Sequence, residues 1–292
     1  MSVTAVMVKE LRQRTGSGMM ECKRALKEAD GDMELAIDNM RKSGLAKADK
    51  KSGRIAAEGR IAVAQNDDTT NAVIIDVNCE TDFVAKGDDF KAFAQGIADA
   101  ILASDVTTVE AALELALASG KSIDETRRGM IAKLGENITL RRFERVSAAG
   151  GTGFYLHGEK IGVVVSLEKA DAALAKDVAM HIAASKPTCV SESEVPAEII
   201  EREKAIFVAQ AEESGKPAEI IEKMIGGRIR KFLAEITLEG QAFVKDDKVT
   251  VGKLVSGKDN KVTGFINLAV GEGIEKEEGD FAAEVMAQIR GE

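Results

Sequence analysis

The stretch Arg60-Ile61-Ala62-Val63-Ala64-Gln65-Asn66-Asp67-Asp68-Thr69-Thr70-Asn71-Ala72-Val73-Ile74-Ile75-Asp76-Val77-Asn78 decides the fold. Two strand-like runs, 60–65 and 72–78, flank a polar turn at 66–70. A helix follows, with Phe90, Phe93, Ala94, Ile97 and Ile101 along one face. Two further helices are expected at 108–118 and 122–134, and residues 137–146 alternate like a strand. The order then recurs. Residues 154–157, a turn at Gly158-Glu159 and residues 160–167 precede a helix whose stripe is Leu174, Val178, His181 and Ile182. Strand, turn, strand, helix, met twice, predicts two related halves of one core. The expected class is therefore α+β, with antiparallel sheets.

Outward from that core the chain changes character. Residues 1–54 carry 12 basic and 8 acidic side chains, a net of +4 inside an acidic protein. Three apolar stripes with helical spacing lie there: Thr4, Met7, Val8, Leu11; then Cys22, Ala25, Leu26, Ala29; then Met33, Ala36, Ile37, Met40. They predict a three-helix module, with Asp32 as an N-cap, Gly44 as a helix stop and residues 47–54 as a linker. The first core half is placed at 55–146 and the second at 147–187 and 239–270. Between the two parts of the second half, Pro187, Pro196 and Pro217 punctuate residues 188–238. Helical runs on either side of Gly215-Lys216-Pro217 predict an antiparallel hairpin inserted into the second half. The tail, 271–292, has a net charge of −5 and an amphipathic pattern bearing Phe281, Ala282, Val285, Met286 and Ile289.

Composition excludes several classes. The 292 residues include 40 basic and 49 acidic side chains, for a formal charge of −9, and only 4% are aromatic. A protein that coats nucleic acid shows the opposite balance, so no direct nucleic-acid partner is expected. No apolar run approaches the ~18 residues of a bilayer span, so no membrane association is expected. Cys22, Cys79 and Cys189 form no C-x-x-C pair, which together with the absence of a signal pattern fits a reducing cytoplasm. No phosphate loop with a Gly-Lys-Ser/Thr end and no H-E-x-x-H occurs, and there are only two histidines. His181 falls on an apolar stripe and reads as a packed core residue, while His157 ends a strand. No catalytic residue, cofactor or bound metal is assigned, and an enzyme is not expected.

One segment stands out locally: Asn78-Cys79-Glu80-Thr81-Asp82-Phe83-Val84-Ala85-Lys86. A strand ends in polar residues, and a large apolar side chain sits beside an acid. Thr81 or Asp82 could cap the next helix with Phe83 stapled into the core. Alternatively, Phe83 is a presented wedge with an adjacent carboxylate. The matching place in the second half, Ser166-Leu167-Glu168-Lys169-Ala170-Asp171, has no aromatic. That asymmetry favours the wedge.

Several stretches together carry a resemblance. They are Thr15-Gly16-Ser17-Gly18-Met19-Met20-Glu21-Cys22-Lys23, the segment 78–86 and Gly135-Glu136-Asn137. To these add His181-Ile182-Ala183-Ala184-Ser185-Lys186-Pro187 and Gly271-Glu272-Gly273-Ile274-Glu275-Lys276. The chain resembles the bacterial elongation factor Ts family, guanine-nucleotide exchange factors for the GTPase elongation factor Tu. The resemblance implies a ubiquitin-associated-like N-terminal module, two related core halves, a protruding helical hairpin and a short C-terminal module. It implies that Thr81, Asp82, Phe83 and Val84 enter the GTPase near its Mg²⁺ site. It further implies partner contacts at Lys51, Leu134, Gly135 and His157, and at Phe281 and Met286 of the C-terminal helix. The complex is expected as a heterodimer or a dimer of heterodimers. An adaptor acting through the ubiquitin-associated-like module is the alternative.

Overall fold

The computed structural model describes residues 3–212 and 217–275. At the N-terminus, α1 (Ala5–Thr15), α2 (Met19–Glu28) and α3 (Met33–Lys51) close around Leu11, Cys22, Leu26 and Ala36, all fully buried. Thr4 caps α1 through its hydroxyl, and Gly16 ends the helix in the left-handed region at φ 70°. Asp32 Oδ1 accepts the Leu35 N–H at 3.0 Å, the N-cap expected of it. Gly44 is not a stop. The third helix runs through it to Lys51, so most of the expected linker is helical. The reason is tertiary: a Cβ at Gly44 would sit 3.1 Å from the Cβ of Ala132 on the helix α7 (Ile123–Leu134). Here glycine allows two helices to approach closely, which outweighs its weak helix propensity.

The first sheet consists of β1 (Glu58–Gln65), β2 (Asn71–Cys79) and β3 (Ile138–Ser147), antiparallel in that order. Between β2 and α7 lie α4 (Asp82–Ala85), α5 (Asp88–Leu102) and α6 (Val109–Leu113). The helix expected over 108–118 is shorter than its pattern. After α6 the chain turns back, Ala116 bridges Ser122, and Ser122 caps α7 by accepting the Glu125 N–H at 3.0 Å.

The second sheet is β4 (Thr152–His157), β5 (Ile161–Leu167) and β8 (Val262–Ala269), again antiparallel. Helix α8 (Ala172–Ser185) follows β5. Next come α9 (Ala197–Glu212) and α10 (Ala218–Ile236), then the β6 (Ala242–Phe243) and β7 (Asp246–Thr250) ribbon and α11 (Val251–Ser256) before β8. The two long helices pack on each other, with the Arg228 guanidinium 5.7 Å from the Phe207 ring centre. Gly215 and Lys216 of the intervening turn lie outside the described residues.

The two sheets stack face to face, with one helix covering each outer face. Val73, Ile75 and Val77 point to α5, meeting Phe90, Phe93, Ile97 and Ile101. From the other face of the same sheet, Ile61, Val63 and Ile74 meet Val164 and Leu268 of the second sheet. Beyond that sheet, Val163, Val165 and Leu167 meet Leu174, Val178 and Ile182 of α8. Burial on both faces explains why 72–75, Ala-Val-Ile-Ile, is a continuous apolar run and not an alternating one. The α+β class with antiparallel sheets is borne out. Among the described residues no helix is long and apolar enough to cross a membrane.

Candidate partner-binding site

The tip begins where β2 ends. Thr81 is extended (φ −123°, ψ 153°), and its Oγ1 accepts the Val84 N–H at 3.4 Å, opening the single turn of α4. In one helical turn, successive side chains point about 100° apart, so four residues cannot all face the core. Val84 and Ala85 turn inward, 8% and 2% exposed, and join the core cluster of Val77 and Phe90. Phe83 is thereby turned outward and is 84% exposed. Thr81 is a cap, as one reading of the sequence held, but Phe83 is no staple. In the second half Asp171 caps α8 directly, its Oδ1 accepting the Leu174 N–H at 2.9 Å. No helical turn and no aromatic stands between β5 and α8.

Asp82 lies beside Phe83 on the exposed side. Its Oδ2 accepts from the Lys86 ammonium at 2.6 Å, one turn on. That hydrogen bond, with the Lys86 charge, holds the Asp82 carboxyl below the usual carboxylate range, and Lys160 adds to the effect. The same bond raises Lys86. Beneath the tip, burial pushes the Cys79 thiol up to about 12, with the charges of Glu136 and Glu58 adding. Cys79 is thus an inert packed thiol whose Sγ donates to the Thr81 carbonyl at 3.1 Å.

The loop after α7 completes the site. Leu134 is 37% exposed, and Gly135 ends the helix at φ 80°, a left-handed position that a side chain would strain. The Lys51 ammonium donates to the Gly135 carbonyl, so these two positions meet directly. Asn137 Nδ2 donates to the Arg54 carbonyl at 2.8 Å and the Ser52 carbonyl at 3.3 Å, fastening the end of α3 to the same loop. The sequence-predicted positions Lys51, Thr81, Asp82, Phe83, Val84, Leu134 and Gly135 are therefore brought to one edge of the first sheet. His157 stands apart from them, exposed at the end of β4, with Nδ1 3.2 Å from the Tyr155 hydroxyl. Its turn is nevertheless held to that side: Lys160 pairs with Glu58 at 2.6 Å, and Glu159 with Arg60. Phe281 and Met286 lie outside the described residues.

Two glutamates that sequence reasoning did not single out organise this edge. Glu80 Oε1 accepts the Asn137 N–H at 2.6 Å, and Glu136 accepts both the Thr81 N–H (3.0 Å) and the Thr81 hydroxyl (2.6 Å). Each loop lends a carboxylate to the other. The partners are 55 and 57 residues apart, so no local spacing could have revealed them. Among the described residues, no group of three or more His, Cys, Asp or Glu could hold a metal ion.

An α+β scaffold that braces an exposed aromatic at a charged turn has the build of a protein-docking factor, because such a side chain is stabilised only when a partner covers it. The model of the family described as Elongation factor TS matches residues 80–272, including both loops of the site. Over its whole length the chain is 60% identical to the elongation factor Ts of Thioalkalivibrio sulfidiphilus, covering all of both chains. It is 62% identical to that of Methylococcus capsulatus over 99% of each chain, and 53% identical to that of Legionella pneumophila over 99% of each. The chain belongs to the elongation factor Ts family.

Proposed function

We propose that this protein is a guanine-nucleotide exchange factor that binds elongation factor Tu and promotes GDP release during translation elongation. Family membership supports this reading, and the observation that carries it in this molecule is Phe83, held 84% exposed on a braced turn. On this reading Phe83 enters the nucleotide domain of the GTPase, with Thr81, Asp82 and Val84 around it, near the Mg²⁺ that neutralises the phosphates. Lys51, Leu134, Gly135 and His157 supply further contacts, as do Phe281 and Met286. The N-terminal module and the α9–α10 hairpin extend the interface. The factor works in the cytoplasm without touching RNA, in a heterodimer or a dimer of heterodimers.

No covalent bond changes in this process. A nucleoside diphosphate is held mainly by backbone N–H groups of a phosphate loop and by Mg²⁺. Disturbing the Mg²⁺ shell removes the largest neutralising charge beside the phosphates. Burying the Phe83 ring in the opened partner is favourable by about 1.5–3 kcal/mol. Coupling is reciprocal, so GTP or GDP rebinding weakens the factor's grip by the same free energy, typically ~1–3 kcal/mol.

The test is stopped-flow release of a fluorescent GDP from elongation factor Tu. The full chain is expected to accelerate release, and Phe83→Ala to slow it about tenfold or more while retaining the fold. A Phe83→Ala protein that accelerates release as well as the wild type would overturn the wedge.

A further inference from the structure

We infer that Glu136 is a positioning residue for exchange: its carboxylate holds the Thr81 backbone and hydroxyl so that Phe83 is presented in one orientation before any partner arrives. The inference rests on the exchange-factor reading and gives Glu136 a role exerted through Thr81.

The geometry is specific. α4 is a single turn, and a turn of four residues has no independent stability in water. Its first N–H groups have no intrahelical partners. Thr81 Oγ1 satisfies the Val84 N–H, but only while the hydroxyl points the right way. Glu136 fixes that orientation by accepting the hydroxyl proton at 2.6 Å, leaving a lone pair for Val84, and by accepting the Thr81 N–H at 3.0 Å. Glu80 in turn holds the Asn137 N–H, so the loop bearing Glu136 is itself pinned beside the tip. Charge-assisted hydrogen bonds of this kind are about twice as strong as neutral ones. Without them, the turn would have to be ordered at the moment Phe83 enters the partner, and that ordering would be subtracted from the wedge's effect.

This identifies the step affected. Docking rests on several surfaces, whereas release depends on the ring arriving in place. Glu136→Ala is therefore expected to lower the maximal GDP-release rate at saturating factor about tenfold. The half-saturating concentration should change by less than about twofold, because uniform binding is retained. Glu136→Gln can keep both hydrogen bonds if the Thr81 hydroxyl turns to accept from the amide, and its rate should stay within about threefold of the wild type.

The decisive measurement is a double-mutant cycle with Phe83→Ala, read by fluorescent GDP release from elongation factor Tu using the full chain. Once Phe83 is gone there is no ring to orient, so adding Glu136→Ala should cost less than about twofold. Hydrogen exchange should rise across residues 80–86 in Glu136→Ala and stay unchanged in β1 and β2. A full wild-type rate for Glu136→Ala, the same loss with and without Phe83, or a Glu136→Gln variant as slow as Glu136→Ala would each overturn the proposal. If Glu136→Ala does not fold, Glu136→Asp, which withdraws the carboxylate by one methylene, takes its place in the cycle. The exchange-factor reading fails separately, and takes the proposal with it, if the wild-type chain leaves GDP release unchanged. A slow Phe83→Ala beside an unimpaired Glu136→Ala defeats the positioning role alone.

Discussion

A phenylalanine left 84% in water forgoes about 1.5–3 kcal/mol of burial, and Phe83 does so while its neighbours Val84 and Ala85 are packed inside. Its exposure is enforced by a one-turn helix with two inward positions already filled. The other informative residue is His181, which is fully buried on α8. Its Nδ1 accepts the Val244 N–H at 3.1 Å, and its Nε2 lies 2.9 Å from Gln241 Oε1, so the ring is neutral with the proton on Nε2. Burial lowers its pKa below the ordinary 6.5, and the Gln241 hydrogen bond opposes this only in part. The unfolded chain therefore binds a proton that the folded chain resists. That contribution is fully present above the unfolded value and is lost as pH falls below it, levelling off beneath the depressed folded value. Thermal melts between pH 7.5 and 5.5 should show a decline that is shallower in His181→Gln, which retains a donor and an acceptor. Equal slopes would show that other groups carry the pH dependence. The stripe that made His181 a core residue was readable in the sequence, but its partners 60 and 63 positions away were not.

At the scale of elements, the hairpin α9–α10 separates local from tertiary information. Its helical runs and prolines were legible because periodicity and Pro are local signals. Where it joins the core was not. Leu233 near the end of α10 is buried, and Leu238 just beyond it is fully buried in the second-half cluster with Val178 and Val251. A deletion of 196–238 would therefore cut into the core, whereas one of 197–232 spares these side chains. Replacing 197–232 with a short linker is expected to weaken binding to elongation factor Tu while leaving the melting temperature nearly unchanged. Loss of the cooperative melt would refute the hairpin as a separate projection. The third helix teaches the same lesson in reverse. Gly44 and a basic, apolar-poor stretch read as a stop and a linker, yet packing against Ala132 carried α3 to Lys51.

For the whole molecule, the decisive contact is sheet against sheet. A Cβ at Gly162 in β5 would overlap the Ile61 side chain and lie 3.0 Å from Ile74 Cδ1, across the interface between the two sheets. Gly162→Val is expected to destabilise the protein by about 1–3 kcal/mol through overpacking, measurable by urea denaturation. An unchanged midpoint would mean the interface can relax, contrary to its dense packing. Arg142 reinforces the junction: it reaches Asp76 at 3.3 Å, the Ala269 carbonyl at 3.1 Å and Glu272 at 3.1 Å. Sequence alone determined the α+β class, the repeated order of strand, turn, strand and helix, and the position of the odd aromatic. These are written in periodicity, turn residues and composition, which act over a few neighbouring positions. Only the tertiary structure decided that Phe83 faces water, that Glu136 and Glu80 brace its turn, and that Lys51 meets Gly135. Those outcomes depend on which distant segments share an edge, and that is settled by the packing of two sheets and not by any local pattern.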